Sequence, residues 1–172
     1  MIDVALDLAQ ATPADASRAM RTALGRFATG VTLITCRDAD GVAVGLTANS
    51  FNALSLDPPL VLWSLRADSP SAETFGRASH FGINVLAESQ VDLSRRFAAR
   101  VADKFGAGLW HDGLHGLPLL LGAAATFECR RQSQQAAGDH LLFIGQVLQV
   151  TAHAAAPLLF HAGHYKRAGP LI

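Results

Sequence analysis

A chain of 172 residues, half of them apolar and with 14 Lys plus Arg set against 14 Asp plus Glu, has the size of one ordinary globular domain and no net formal charge. Scattered Arg on a neutral chain builds no basic stripe to release counterions, so nucleic acid is excluded as an expected partner. Only 16% of residues are charged and mean hydropathy is positive; with so little charge to cover a monomer, a buried subunit interface is expected.

Taken from the amino terminus, Met1-Ile2-Asp3-Val4-Ala5-Leu6-Asp7 carries acids where an export signal needs bases. The expectation is a cytoplasmic protein, with one domain over residues 1–172 and residues 1–11 as a flexible tail. Thr12-Pro13-Ala14-Asp15 reads as a helix start, with Thr as cap, Pro at the first helical position and an acid in the positive first turn. Ala16, Ala19, Met20, Ala23, Leu24 and Phe27 then recur at helical spacing as one apolar stripe. Beyond Gly25 the pattern turns β-branched in Val31-Thr32-Leu33-Ile34-Thr35; the turn Asp38-Ala39-Asp40-Gly41 and the apolar run from Val42 to Leu46 complete a predicted hairpin.

Further short strands are predicted at Leu60-Val61-Leu62-Trp63, from Phe81 to Leu86, from Ala125 to Cys129 and from Leu141 to Val147. Ser69-Pro70-Ser71 reads as another helix cap and first turn. In the segment from Val91 to Arg100, helical spacing points Val91, Phe97 and Val101 inward and Arg95, Arg96 and Arg100 toward solvent. Irregularly spaced strands with only a few helices predict a mostly β fold, an antiparallel barrel rather than a doubly wound sheet.

From His140 to Tyr165 no Asp, Glu, Lys or Arg occurs. A bilayer span needs about 20 predominantly apolar residues, and Gln146, Gln149, Thr151, Pro157 and four His interrupt this stretch, which is read as buried strand plus loop. Cys36 and Cys129 have no C-x-x-C partner and read as small buried hydrophobes. His111 with His115 and His161 with His164 have ligand-like spacing but no accompanying carboxylate pattern, so no metal is expected.

The chain has no G-x-G-x-x-G, Walker loop, G-x-S-x-G or H-E-x-x-H. What stands out is an uncharged polar cluster between two apolar strands, Thr47-Ala48-Asn49-Ser50-Phe51-Asn52, continuing to Ser55-Leu56-Asp57-Pro58-Pro59. Its neutral donors suit a flat aromatic ligand edged with carbonyls and ring nitrogens, such as an isoalloxazine lying on an apolar wall. Capping of an ordinary strand-exit turn is the other reading of the same residues.

The segment from Gly45 to Phe51 (GLTANSF), followed by Ser55-Leu56-Asp57-Pro58-Pro59-Leu60-Val61-Leu62, resembles the flavin reductase family, whose members supply two-component flavin-dependent monooxygenases. Four more segments agree in order: Phe27-Ala28-Thr29-Gly30-Val31, the run FGINVL from Phe81, Gly116-Leu117-Pro118-Leu119-Leu120 leading to Glu128-Cys129-Arg130, and Gly138-Asp139-His140 with Ile144-Gly145-Gln146-Val147. The resemblance implies a split antiparallel β-barrel of the FMN-binding type, a homodimer with flavin near the subunit interface, and reduction of free FAD or FMN by NADH or NADPH for a partner monooxygenase. A flavin-storage module on the same barrel is the alternative from another class. An oxidase of phosphorylated pyridoxine would need a strongly basic pocket, which the composition lacks.

By this resemblance Thr47, Ala48, Asn49 and Ser50 contact the flavin ring and ribityl chain, and Thr29, Gly30 and Val31 approach the ring. For the flavin phosphate, Arg66, Ser69 and Ser71 offer positive charge and donors at a helix start, with a plain N-cap as the other reading of Ser69. Lys104 and Phe105 resemble the family's Lys-Phe pair after the Arg-rich helix, which implies contact with a phosphate or the ring edge; a solvated lysine is the other reading. His140, in the Gly-Asp-His motif, is implied to contact the nicotinamide nucleotide, and Tyr165 lines the cleft or simply fills the core. The lead-in Gln134-Gln135-Ala136-Ala137 departs from the usual pattern and reads as a loop that tunes the choice of nicotinamide nucleotide.

Overall fold

The computed structural model describes residues 5–170. Of the amino-terminal reading, residues 1–4 lie outside these, and residues 5–11 form no helix or strand. Thr12 is extended and its Oγ1 accepts the Asp15 N–H, which starts α1 (Pro13–Leu24) where the sequence places it. The apolar stripe of α1 has no cover: none of its residues is buried, and Leu24 is 63% exposed.

The strands are β1 (Thr29–Gly30), β2 (Thr32–Arg37), β3 (Ala43–Ala48), β4 (Asn52–Leu56) and β5 (Pro59–Arg66), followed by α2 (Ala72–Arg77) and β6 (His80–Val85). After α3 (Val91–Ala98) come β7 (Trp110–Asp112), β8 (Pro118–Leu120), β9 (Ala125–Ala137), β10 (His140–Ala152), β11 (Leu158–His161) and β12 (His164–Arg167). Seven strands form one antiparallel sheet in the order β3-β2-β6-β9-β10-β5-β4, while β1, β11 and β12 make a small second sheet and β7 pairs with β8. The predicted hairpin is β2-β3. At its turn, Asp38 Oδ1 accepts the N–H groups of Asp40 and Val42, and Gly41 takes φ 78°, the left-handed conformation glycine adopts without a steric penalty.

Inward residues from both ends of the large sheet meet in one core. Leu46 and Ala48 on β3 share it with Ile34 and Cys36 on β2 and with Val61, Trp63 and Leu65 on β5. The sheet is therefore curled into an antiparallel barrel, open along a seam between its edge strands β3 and β4. At the centre the Trp63 indole stacks on Phe143, with ring centroids 4.4 Å apart and planes at 9°. The other face of β2 is covered too. Leu33 joins Val31, Leu86, Phe97, Leu120 and Leu158 in a second core, and this two-sided burial explains why β2 shows no alternation of apolar and charged residues before Arg37. Asn84, fully buried on β6, ties the two layers together: its Nδ2 donates to Leu33 O at 3.1 Å and its Oδ1 accepts the Leu120 N–H at 2.7 Å.

Several expectations need correction. The polar cluster is not one loop, because Thr47 and Ala48 end β3 and Asn52 opens β4. Gln134 to Ala137 are paired residues of β9, not a loop, with Gly138 at φ 61° in the tight turn that follows. The uncharged stretch after His140 is only partly buried, since Leu148 and Val150 in the outer half of β10 face solvent. α3 stops at Ala98, so Val101 leaves the helical face and is 42% exposed. Arg96 is no solvated residue: it donates to the carbonyls of Asp103 and Lys104 and holds the segment after α3 against the helix. No helix among the described residues is long and apolar enough to cross a membrane.

Candidate functional site

The seam of the barrel is closed by a side chain instead of a backbone ladder. Ser50 sits just past β3, where its hydroxyl donates to Ser64 O at 2.9 Å and accepts the Ser64 N–H at 3.0 Å. A short polar residue is needed here, because only a hydroxyl on a one-carbon stem both accepts and donates at this range. Beside this bridge opens a cleft of about 960 Å³, large enough for a nucleotide-sized ligand.

The cleft brings together most of the candidate residues. Thr47, Ala48, Asn49 and Ser50 form one wall and Arg66, Ser69 and Ser71 another, with Lys104 and His140 also lining it. Leu46, Leu65, Phe97 and Val101 supply apolar surface between them. Six further lining residues were not site candidates in the sequence: Ser64, Asp68, Pro70, Ala98, Ala99 and Arg100, the last read there as solvent-facing. Asp68 was legible as the acid two residues after Arg66; the seam position of Ser64 depends on the long-range pairing of β5.

The wall is internally fixed. Thr47 Oγ1 donates to Ser94 O at 2.6 Å, and the Ser94 hydroxyl lies 2.9 Å from the Tyr165 hydroxyl. Tyr165 thus stands one residue behind the cleft and braces its wall through Ser94; Arg95 also lies over its ring, 5.7 Å from the centroid. Phe105 packs edge-on against Phe97 at 5.0 Å, again behind the lining. Val31 is buried in the second core, and neither Thr29 nor Gly30 lines the cleft. Those two pair with β11, with the Thr29 hydroxyl oxygen buried and unpartnered among the described residues and open space over Gly30.

Charge is arranged with equal definition. Register pairs His140 on β10 with Arg66 on β5. Arg66 holds Asp68 in a two-point ion pair, at 2.9 Å from Nε and 2.7 Å from Nη2, and this pairing holds the Asp68 carboxyl below the usual carboxylate range. His140 Nδ1 lies 2.7 Å from Asp139 Oδ1. The Asp139 carboxyl is held below its ordinary range first by that hydrogen bond and then by the charge of the imidazole. With Nδ1 bonded to a carboxylate, it is Nε2 that is left to face a ligand. Lys104 Nζ donates to Phe97 O at 2.7 Å and Gly45 O at 3.3 Å, which seats it on the carboxyl end of α3, where burial pushes its pKa down.

The second predicted helix start differs in detail. Ser71, not Ser69, is the residue before α2, and it makes no side-chain cap; Ser69 Oγ instead accepts the Ser71 N–H at 3.3 Å in a local turn. Away from the cleft, His115 stacks on His80 with centroids 3.9 Å apart. The thiols of Cys36 and Cys129 are buried and pushed up to about 12 by desolvation.

Comparison with known proteins matches residues 24–169 to the family described as "Flavin reductase like domain". The chain belongs to this flavin reductase-like family. The match takes in every cleft residue from Leu46 to His140. Among curated flavin reductase relatives, the chain is 43% identical over 151 residues to the FMN reductase (NADH) SmoA of Agrobacterium fabrum, covering 88% of this chain and 86% of that protein. It is 42% identical over 166 residues to the reductase subunit HsaB of a flavin-dependent monooxygenase from Rhodococcus jostii, covering 96% and 85%. With a probable flavin reductase of Rhizobium meliloti it shares 49% identity over 130 residues, 76% of this chain but only 42% of that protein's length. The solved structure of the Streptomyces globisporus NADH:FAD oxidoreductase SgcE6 in complex with NAD and FAD fragments superposes with a TM-score of 0.86 at 33% identity, covering 94% of this chain and 98% of that one. The mostly β, antiparallel fold expected from the strand pattern is thus the flavin reductase fold.

Proposed function

We propose that this chain reduces free FMN or FAD with NADH or NADPH and hands the reduced flavin to a partner monooxygenase. The observation that carries this reading is that one cleft joins the neutral wall from Thr47 to Ser50 with His140, although the two are far apart in sequence. The names of the relatives support it: one is an NADH-dependent FMN reductase and another is the reductase subunit of a flavin-dependent monooxygenase.

The residues present fit a flavin. Its ring needs neutral donors along one edge and an apolar surface under its face, and the cleft offers both, with the wall held rigid by the Thr47–Ser94–Tyr165 connection. Nicotinamide and isoalloxazine carry the hydride chemistry when both are bound. The protein's part is alignment. Asn49, exposed at the rim, presents its amide to the ligand; Phe97, Leu46 and Leu65 exclude water from one side; and His140, oriented by Asp139, offers Nε2 to the nicotinamide nucleotide. No acid and base pair is required at the reacting carbon. A second copy of the chain covers the bare apolar face of α1, giving a homodimer whose mass light scattering measures directly.

Steady-state kinetics with FMN and FAD, each combined with NADH and NADPH, test the activity. Loss of nicotinamide absorbance that depends on added flavin is expected. Flavin binding without turnover would instead make the chain a storage module.

A further inference from the structure

Two of the cleft's cationic side chains already hold protein partners before any ligand arrives. Among the described residues its lining holds three Lys or Arg side chains, Arg66, Arg100 and Lys104. Arg66 is spent on Asp68 through two hydrogen bonds. Lys104 has two of its three N–H donors on the carbonyls of Phe97 and Gly45. Arg100 makes no ion pair and no hydrogen bond among the described residues, although it lines the same cleft. The local fold places it there: Ala99 donates its N–H to the carbonyls of Arg95 and Arg96, which ends α3, and the next residue leaves the helix at the cleft.

An anion entering this cleft meets one uncommitted guanidinium. Displacing Arg66 from Asp68 would break a bidentate pair and leave a carboxylate facing the incoming anion, and Lys104, already donating to two carbonyls, keeps one N–H and no forked donor for a ligand. Arg100 loses only hydration. Its planar fork matches a phosphate ester in two-point geometry. We infer that Arg100 is the residue that receives the phosphate of the flavin nucleotide, and that it decides between a flavin that carries phosphate and one that does not. The inference rests on the proposed flavin reduction for its ligand, and it redirects phosphate recognition from the strand end at Arg66 to the segment after α3. It also accounts for a flavin that comes and goes, since a single exposed cation adds modest affinity and none of the grip of a basic pocket.

Titration of riboflavin, FMN and FAD into the purified protein, followed by quenching of flavin fluorescence, separates the two claims. For Arg100→Ala the Kd for FMN should rise about tenfold, the equivalent of about 1.4 kcal/mol, while the Kd for riboflavin stays within about twofold. Arg100→Lys should restore part of the loss, and added salt should weaken FMN binding to the wild-type protein far more than riboflavin binding. Equal shifts for riboflavin and FMN, or an unchanged FMN Kd in Arg100→Ala, would overturn the role of Arg100. Should that variant fail to fold, a salt response of the wild-type protein that is the same for riboflavin and FMN overturns it equally. Wild-type protein that binds none of the three flavins would instead overturn the proposed function.

Discussion

Replacing Ser50 with Ala removes a side chain that bridges the barrel seam. Its hydroxyl makes two hydrogen bonds to the half-buried backbone of Ser64, at 2.9 and 3.0 Å, and Ala leaves both the Ser64 N–H and C=O without that partner. Each such bond is worth about 0.5–1.5 kcal/mol net, so the pair contributes about 1–3 kcal/mol. In a domain of this size each kcal/mol moves the midpoint by about 2–4 °C, so a loss near the middle of that range lowers Tm by about 4–8 °C. Because Ser50 also lines the cleft, the KM for flavin should rise along with the loss of stability. Differential scanning calorimetry of the Ser50→Ala protein against wild type measures the first effect. A Tm within about 1 °C of wild type would show that water satisfies Ser64 without cost and that the seam is held by something other than this bridge.

His140→Ala should lower kcat/KM for NADH at least about tenfold, or about 1.4 kcal/mol of transition-state stabilisation, with the circular dichroism spectrum unchanged; an unchanged kcat/KM would remove His140 from the site. His80 has its pKa lowered below 6.5 by burial, then by His115 and Arg130, so the unfolded chain takes up the proton first as pH falls. Stability is therefore intact above about pH 6.5 and declines as pH drops from there toward the folded pKa. Urea midpoints measured across that window should fall with acid, and His80→Leu should flatten the slope. Cys36 and Cys129, buried with pKa values of about 12, should resist iodoacetamide at pH 8 in the native protein and react once urea unfolds it; native labelling would contradict their placement.

Much of the fold was legible because its signals are local. The cap of α1 is complete in Thr12, Pro13 and Asp15, and the β2-β3 turn is complete in Asp38 and Gly41, so each element forms where its own residues dictate. The short strands β4, β7, β8, β11 and β12 were not legible: they are brief, and their residues include Pro, Gly-flanked His and exposed Leu that show no alternation. The outer halves of β9 and β10 extend beyond their predicted ends because each is paired along one edge only and carries mostly exposed residues, which need no apolar pattern. Arg96 was misread for a related reason. Helical spacing places it on the outer face, and only the return of the chain at Asp103 and Lys104 gives it carbonyls to hold.

The candidate site divides in the same way. Thr47 to Ser50 and His140 stood out in the sequence through residue type and resemblance, and the structure puts both in one cleft. What the sequence did not hold is which charges are already paired. The Arg66–Asp68 and Asp139–His140 contacts are short in sequence, yet they meet only because β10 lies beside β5, with His140 opposite Arg66. Lys104 likewise finds its two carbonyls through tertiary packing against α3 and β3. Phe105 and Tyr165, expected at the ligand, are found behind the lining, where aromatic packing and the Ser94 hydroxyl claim them.

The central claim is that the cleft beside the barrel seam holds a flavin and a nicotinamide nucleotide together. Crystals of the protein soaked with FMN and NAD test it most directly. The account predicts a flavin ring against the wall from Thr47 to Ser50 with the nicotinamide lying over it next to His140. A cleft filled by its own side chains, or flavin bound at a place remote from both segments, would contradict it.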